Sequence, residues 1–153
     1  MNSLLRDIAS LLAVAFASDG VSATAGGAGD NTEAPGTVID LLALPSRAES
    51  VMFAITARST LAATATLSLT AKIEHSDQSG AGFTDLVPAA SFLTLTGGAG
   101  GSTERGVAKV GVSLEYAKRY IRVSLKPDLS AGATDTAVID AIAIFGGSAR
   151  TPV

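Results

Sequence analysis

Residues 64–75 alternate strictly. Leu67, Leu69, Ala71 and Ile73 fall on one side of an extended chain, and Thr66, Ser68, Thr70, Lys72 and Glu74 on the other. Successive side chains of a strand point to opposite faces, so this pattern suits a strand with one face on a core and one face wet or at an interface. Comparable segments recur along the chain. Residues 37–44 are apolar except for Asp40 and stop at Pro45; residues 50–57 end at Arg58-Ser59. After the turn 76–80 come 83–87 and 91–96, separated by Pro88, then the glycine run 97–101 and the alternating segment 103–114. Residues 120–125 alternate Tyr120, Arg122 and Ser124 against Ile121, Val123 and Leu125 until Lys126-Pro127-Asp128. Residues 136–145 are nearly all apolar, which predicts a central strand covered on both faces. Eight short strands with turns every ten or so residues predict an all-β fold, an antiparallel β-sandwich of the jelly-roll kind. No helical pattern separates them, which argues against a parallel α/β sheet. A chain of 153 residues is of the right size for one core.

The N-terminus reads differently. Leu4, Leu5, Ile8, Leu11, Leu12 and Ala15 lie at helical intervals and predict a short amphipathic arm. The stretch 21–36 contains Gly26-Gly27-Ala28-Gly29 and Pro35-Gly36 and reads as a flexible surface loop. The expected division is therefore an arm and glycine-rich loop over 1–36 and the sandwich over 37–153, in a single domain overall. The stripe Leu4, Leu5, Ile8, Leu11 and Leu12 is too apolar to stay wet, which makes it a candidate interface. The uncharged run 8–17 resembles a secretory leader, but Asp7 cancels Arg6 and removes the positive n-region. The run is also about half the ~20 residues of a membrane helix, so neither a leader nor a membrane partner is expected.

Chemistry-bearing residues are few. Eleven Lys and Arg against 14 Asp and Glu leave a formal charge of −3, whereas a nucleic-acid binder needs a basic surplus for phosphates. Without cysteine there are no disulfides or thiolate sites. His75 is the only histidine; on a strand its neighbours Glu74 and Ser76 point away from it, so no relay forms by adjacency. One histidine cannot build an ordinary zinc site, and 77–80 lacks the alternating acids of a calcium loop. The glycines at 97–101 have no Lys-Ser or Lys-Thr after them and no helix to follow, unlike a phosphate cradle. Lys118, Arg119 and Arg122 gather near Tyr116 and Tyr120, yet strand alternation splits them between faces, which suits a solvated or salt-bridged surface. The expectation is a non-enzymatic protein without cofactor or metal. Charged residues make up only 16%, and the 47% hydrophobic content is rich in alanine with 5% aromatic residues. That thin charge is a first hint of an assembled state.

Several segments in order resemble a known family. Phe16-Ala17-Ser18-Asp19 through Thr24-Ala25, then Thr37-Val38-Ile39-Asp40-Leu41, then Leu67-Ser68-Leu69 to His75-Ser76-Asp77 with Phe83-Thr84-Asp85-Leu86, then Tyr120-Ile121-Arg122-Val123 and the closing apolar strand are similar to capsid cement proteins of tailed bacteriophages, a family named from a Bordetella phage. The resemblance implies a jelly-roll decoration protein on the outer surface of the virion head. It would form a homotrimer and clamp neighbouring subunits of the major capsid protein. The alternative is a carbohydrate-binding β-sandwich module or a phage fibre or tail component. Against it, sugar sites favour aromatic platforms, and the chain has two Tyr and no Trp.

Overall fold

The computed structural model describes residues 8–45, 47–130 and 134–147. A four-residue helix α1 (Ile8–Leu11) precedes nine strands: β1 (Ala13–Thr24), β2 (Ala34–Pro35), β3 (Ile39–Asp40), β4 (Ser50–Leu61), β5 (Thr66–Ser76), β6 (Thr84–Thr96), β7 (Ser102–Ser113), β8 (Tyr120–Leu129) and β9 (Thr136–Gly146). They form a four-stranded sheet, β1-β9-β4-β7, and a second sheet, β2-β8-β5-β6, in which β3 also pairs with β8. All pairings are antiparallel.

With β2 and β3 taken as one interrupted strand, the pairs β1–β9, β2/β3–β8, β4–β7 and β5–β6 are those of one long hairpin folded at the β5–β6 turn. The pairings β4–β9 and β5–β8 roll that ribbon into two sheets, which is the jelly roll the strand spacing predicted. Between the sheets lies one core: Phe53, Ile55, Ile139 and Phe145 from the first, Leu67, Leu69, Ile73, Ile121, Val123 and Leu125 from the second, each at most 1% exposed. One flank is stitched shut. The Gly36 amide donates to Val123 O at 2.8 Å and the Thr37 amide to Ala17 O at 2.7 Å, tying β8 and β1 together. A Cβ on Gly36 would lie 2.4 Å from Ala17 O and 2.6 Å from Val123 O, so only glycine fits there.

Several boundaries differ from the sequence reading. Of the helical stripe, the described part is helical over Ile8–Leu11, and 13–24, expected as arm and loop, is β1, a sheet strand paired with β9. Its register breaks around Asp19-Gly20, where Gly20 takes a left-handed φ of 58° and its amide donates to Asp140 Oδ1 at 2.8 Å. Residues 37–44 are not one strand. The Asp40 carboxylate accepts from the Leu42 amide and from Arg119, turning the chain into a single 3-10 turn, Leu41–Ala43. Arg58-Ser59 is not a turn, because Ser59 Oγ donates to Thr136 O at 2.8 Å within the sheet and β4 runs on to Leu61. The segments 83–87 and 91–96 are one strand, β6, whose register shifts absorb Pro88; as a sheet edge it can spare that ladder bond. Likewise β8 passes through Pro127, whose carbonyl accepts from the Asn31 amide in the facing loop.

Candidate functional site

The two sheets differ in what they show to solvent. On the outer face of β2-β8-β5-β6 a cluster of charges around Glu74 is paired within the chain. Glu74, 4% exposed, accepts from Arg122 Nε at 2.8 Å and Ser124 Oγ at 2.6 Å and lies 3.2 Å from Lys72 Nζ. Lys72 also meets Glu33 at 2.8 Å, and the Arg122 guanidinium lies 4.1 Å from the Phe83 ring centroid. Burial pushes the Glu74 carboxyl up, but the bonds from Arg122, Ser124 and Lys72 outweigh it and hold it at about 2. The Glu33 carboxylate in turn raises the Lys72 ammonium despite its desolvation. Arg119 grips Asp40 through Nε and Nη2 at 3.0 and 2.8 Å, which lowers that carboxyl and raises the guanidinium. Lys118 pairs with Asp77 at 3.4 Å. The basic cluster expected to be split is therefore distributed over three carboxylates of the same chain.

The outer face of β1-β9-β4-β7 is different. The register places Val14, Ile144 and Met52 side by side in one row across it, then Phe16, Ile142 and Ala54 in the next. Lys109 completes the second row; Arg58 and Arg105 stand opposite each other nearer the other end, with Val107 and Val138 beside them. Val14 is 70% exposed, Phe16 53%, Val107 75% and Ile142 47%. The sequence reading of β9 as covered on both faces is thus half right: it is central, between β1 and β4, yet its Val138 and Ile142 face outward. Its inner row is Ala137, Ile139, Ala141, Ala143 and Phe145. The strand keeps several of its small side chains for the core and exposes large ones. Monomeric proteins rarely display a contiguous apolar face of this kind unless something docks there.

Of the residues the sequence offered as an interface, Leu4 and Leu5 lie outside the described residues. Ile8 is 71% exposed, whereas Leu11 and Leu12 are half-buried and Leu12 Cδ2 packs toward Gly146 at the end of β9. His75 Nδ1 accepts from the Lys118 amide at 3.3 Å, and Ser76 Oγ closes the next turn, donating to Ala81 O and accepting from the Gln78 amide. These side chains serve separate local contacts. Among the described residues no three His, Asp or Glu side chains gather as a metal would need, and no helix is long and apolar enough to cross a membrane. The Tyr120 ring has Arg119 4.9 Å from its centroid.

No family model and no curated protein matches the sequence. Its fold matches that of the infectious bursal disease virus Gx strain structure with a TM-score of 0.51 at 12% identity, over 92% of this chain and 34% of that one. The two share an antiparallel β-sandwich fold. T=1 particles derived from infectious bursal virus give 0.50 at 10% identity, over 92% and 32%. The PBSX exported protein XepA gives 0.44 at 16%, over 92% and 39%. The chain spans about a third of the length of the viral chains, and at these identities the likeness is one of fold.

The sequence reading missed the exposed apolar face. A signal was present: Asp140 and Arg58 interrupt otherwise apolar strands at outward positions and mark which side faces water.

Proposed function

We propose that the chain is a structural virion protein, a capsid cement or decoration protein that binds the outside of a phage head and stabilises contacts between major capsid subunits. The observation that carries this reading is the outer face of β1-β9-β4-β7, where two apolar rows, Val14/Ile144/Met52 and Phe16/Ile142/Ala54, lie side by side. Four strands of about eleven residues give that face roughly 700 Å2, close to the ~800 Å2 that each partner contributes to an ordinary specific interface. The resemblance of ordered segments to phage cement proteins supplies the partner, and a fold shared with a virus particle is compatible with it. In this reading the protein acts by shape and contact area, without catalysis, cofactor, nucleic acid or membrane. As a homotrimer it sets three such faces on the shell, so that modest individual contacts add through multivalency.

The test is co-sedimentation of the purified chain with undecorated heads. Wild type should pellet with heads, and the variant Phe16→Asp/Ile142→Asp should stay in the supernatant while keeping its β-sheet circular dichroism. Wild type that never pellets, or a double variant that pellets equally, overturns the assignment.

A further inference from the structure

Arg58 on β4 and Arg105 on β7 are paired directly across the ladder, both exposed. Like charges at opposed positions of an antiparallel pair repel and destabilise the sheet. Lys109 stands four residues along β7 on the same face. Among the described residues none of the three forms an ion pair, nor do Arg47 and Lys126, whereas Lys72, Lys118, Arg119 and Arg122 do; what sets these three apart is that they share one face beside the apolar rows. A shallow concavity of about 480 Å3 lies here, lined by Arg58, Arg105, Val107, Val138 and Asp140. Its one carboxylate, Asp140, already accepts from the Gly20 amide. In a chain that is acidic overall, three unpaired cations thus adjoin the apolar rows of the docking face.

We infer that Arg58, Arg105 and Lys109 receive carboxylate side chains of an acidic protein surface, the one on which this face docks. The inference rests on the reading of that face as a docking surface and names the chemistry of its partner. Charge complementarity selects the occupant: apolar rows beside a basic row match a surface with apolar side chains beside Asp and Glu. Arginine suits the task because its planar fork takes a carboxylate through two parallel bonds. Docking would also relieve the Arg58–Arg105 repulsion, so part of the strain in the free protein becomes a preference for the bound state.

Poly-L-glutamate serves as the probe, titrated against the full chain at low ionic strength, where surface charge is least screened. Arg58→Gln/Arg105→Gln should bind it about tenfold or more weakly, the loss of about 1.4 kcal/mol or more. Lys126→Gln, which removes a charge from the other sheet, should stay within about twofold of wild type. Arg58→Glu supplies the fold control. It converts the repelling pair into an ion pair with Arg105, so its Tm should hold or rise by about 1–3 °C while polyglutamate binding is lost. Wild-type affinity in Arg58→Glu, or an equal loss in Lys126→Gln, overturns the inference. Heparin binding far tighter than polyglutamate would assign the row to a sulfated sugar, and loss of self-association in Arg58→Glu would assign it to a second copy; either result overturns it too. Heads separate the two readings. If Arg58→Glu decorates them as wild type does, the acidic partner fails and the apolar docking face stands. If wild type ignores heads while its selective polyglutamate binding holds, the decoration reading fails and the acidic-surface site stands.

Discussion

Glu74 is a buried carboxylate that three polar partners keep ionised, and that makes it an acid-sensitive joint between β5 and β8. Its folded-state value of about 2 lies below the ordinary 4.5. The unfolded chain therefore binds a proton at a pH where the folded protein does not, and stability falls as pH drops. The contribution is complete above about 4.5 and disappears on the way down to about 2. It should amount to roughly 3 kcal/mol. Urea unfolding followed across that pH interval should show the decline in wild type and a flatter profile in Glu74→Gln; parallel profiles would show that the carboxyl titrates alike in both states. The cluster was only half visible in the sequence. Alternation put Lys72 and Glu74 on one face, but Glu33, Arg122 and Ser124 come from segments about 40 or more residues away, and only the β2–β8–β5 register brings them together.

Strands were most legible where side-chain size and polarity changed together. In β5, large apolar residues alternate with Thr, Ser, Lys and Glu, and the expected range 64–75 nearly coincides with Thr66–Ser76. In β1 and β9 the two properties separate. Alanines occupy many inner positions of both, so β1 fits a helical stripe as well as a strand, and β9 looks apolar on both sides. Only pairing decides, since β1 needs β9 at the far end of the chain. The consequence for substitutions can be measured. From sequence, Ile142→Asp would bury a carboxylate and prevent folding; in the structure Ile142 is 47% exposed, while its strand neighbour Ile139 is fully buried. Ile142→Asp should therefore change stability by less than about 1 kcal/mol, whereas Ile139→Asp places an unpaired charge in the core and should abolish the cooperative thermal transition. Melts showing the opposite ranking would mean that β9 presents its other face outward.

At the scale of the whole molecule, the rolled ribbon separates two kinds of surface. One sheet pairs the charged cluster around Glu74 with its own residues, and the other leaves apolar rows and three cations unmatched among the described residues. The glycine and threonine at 36–37 close the β1/β8 flank. Across from it, β6 and β7 are the open edges of their sheets. Pro88 and the register shifts blunt β6, but β7 offers twelve residues of regular strand, the kind of edge that pairs with another chain unless it is covered. A homotrimer built through that edge would leave the apolar face free for the shell; one built through the face would consume it. Sedimentation equilibrium of Phe16→Asp/Ile142→Asp distinguishes these arrangements without any capsid. The outcome expected for a trimer built through the β7 edge is wild-type association strength in a variant that no longer decorates heads, with subunit contact and shell contact on different surfaces. Dissociation of that variant to monomers would place the subunit contact on the sheet face instead, and the shell would then have to be gripped elsewhere.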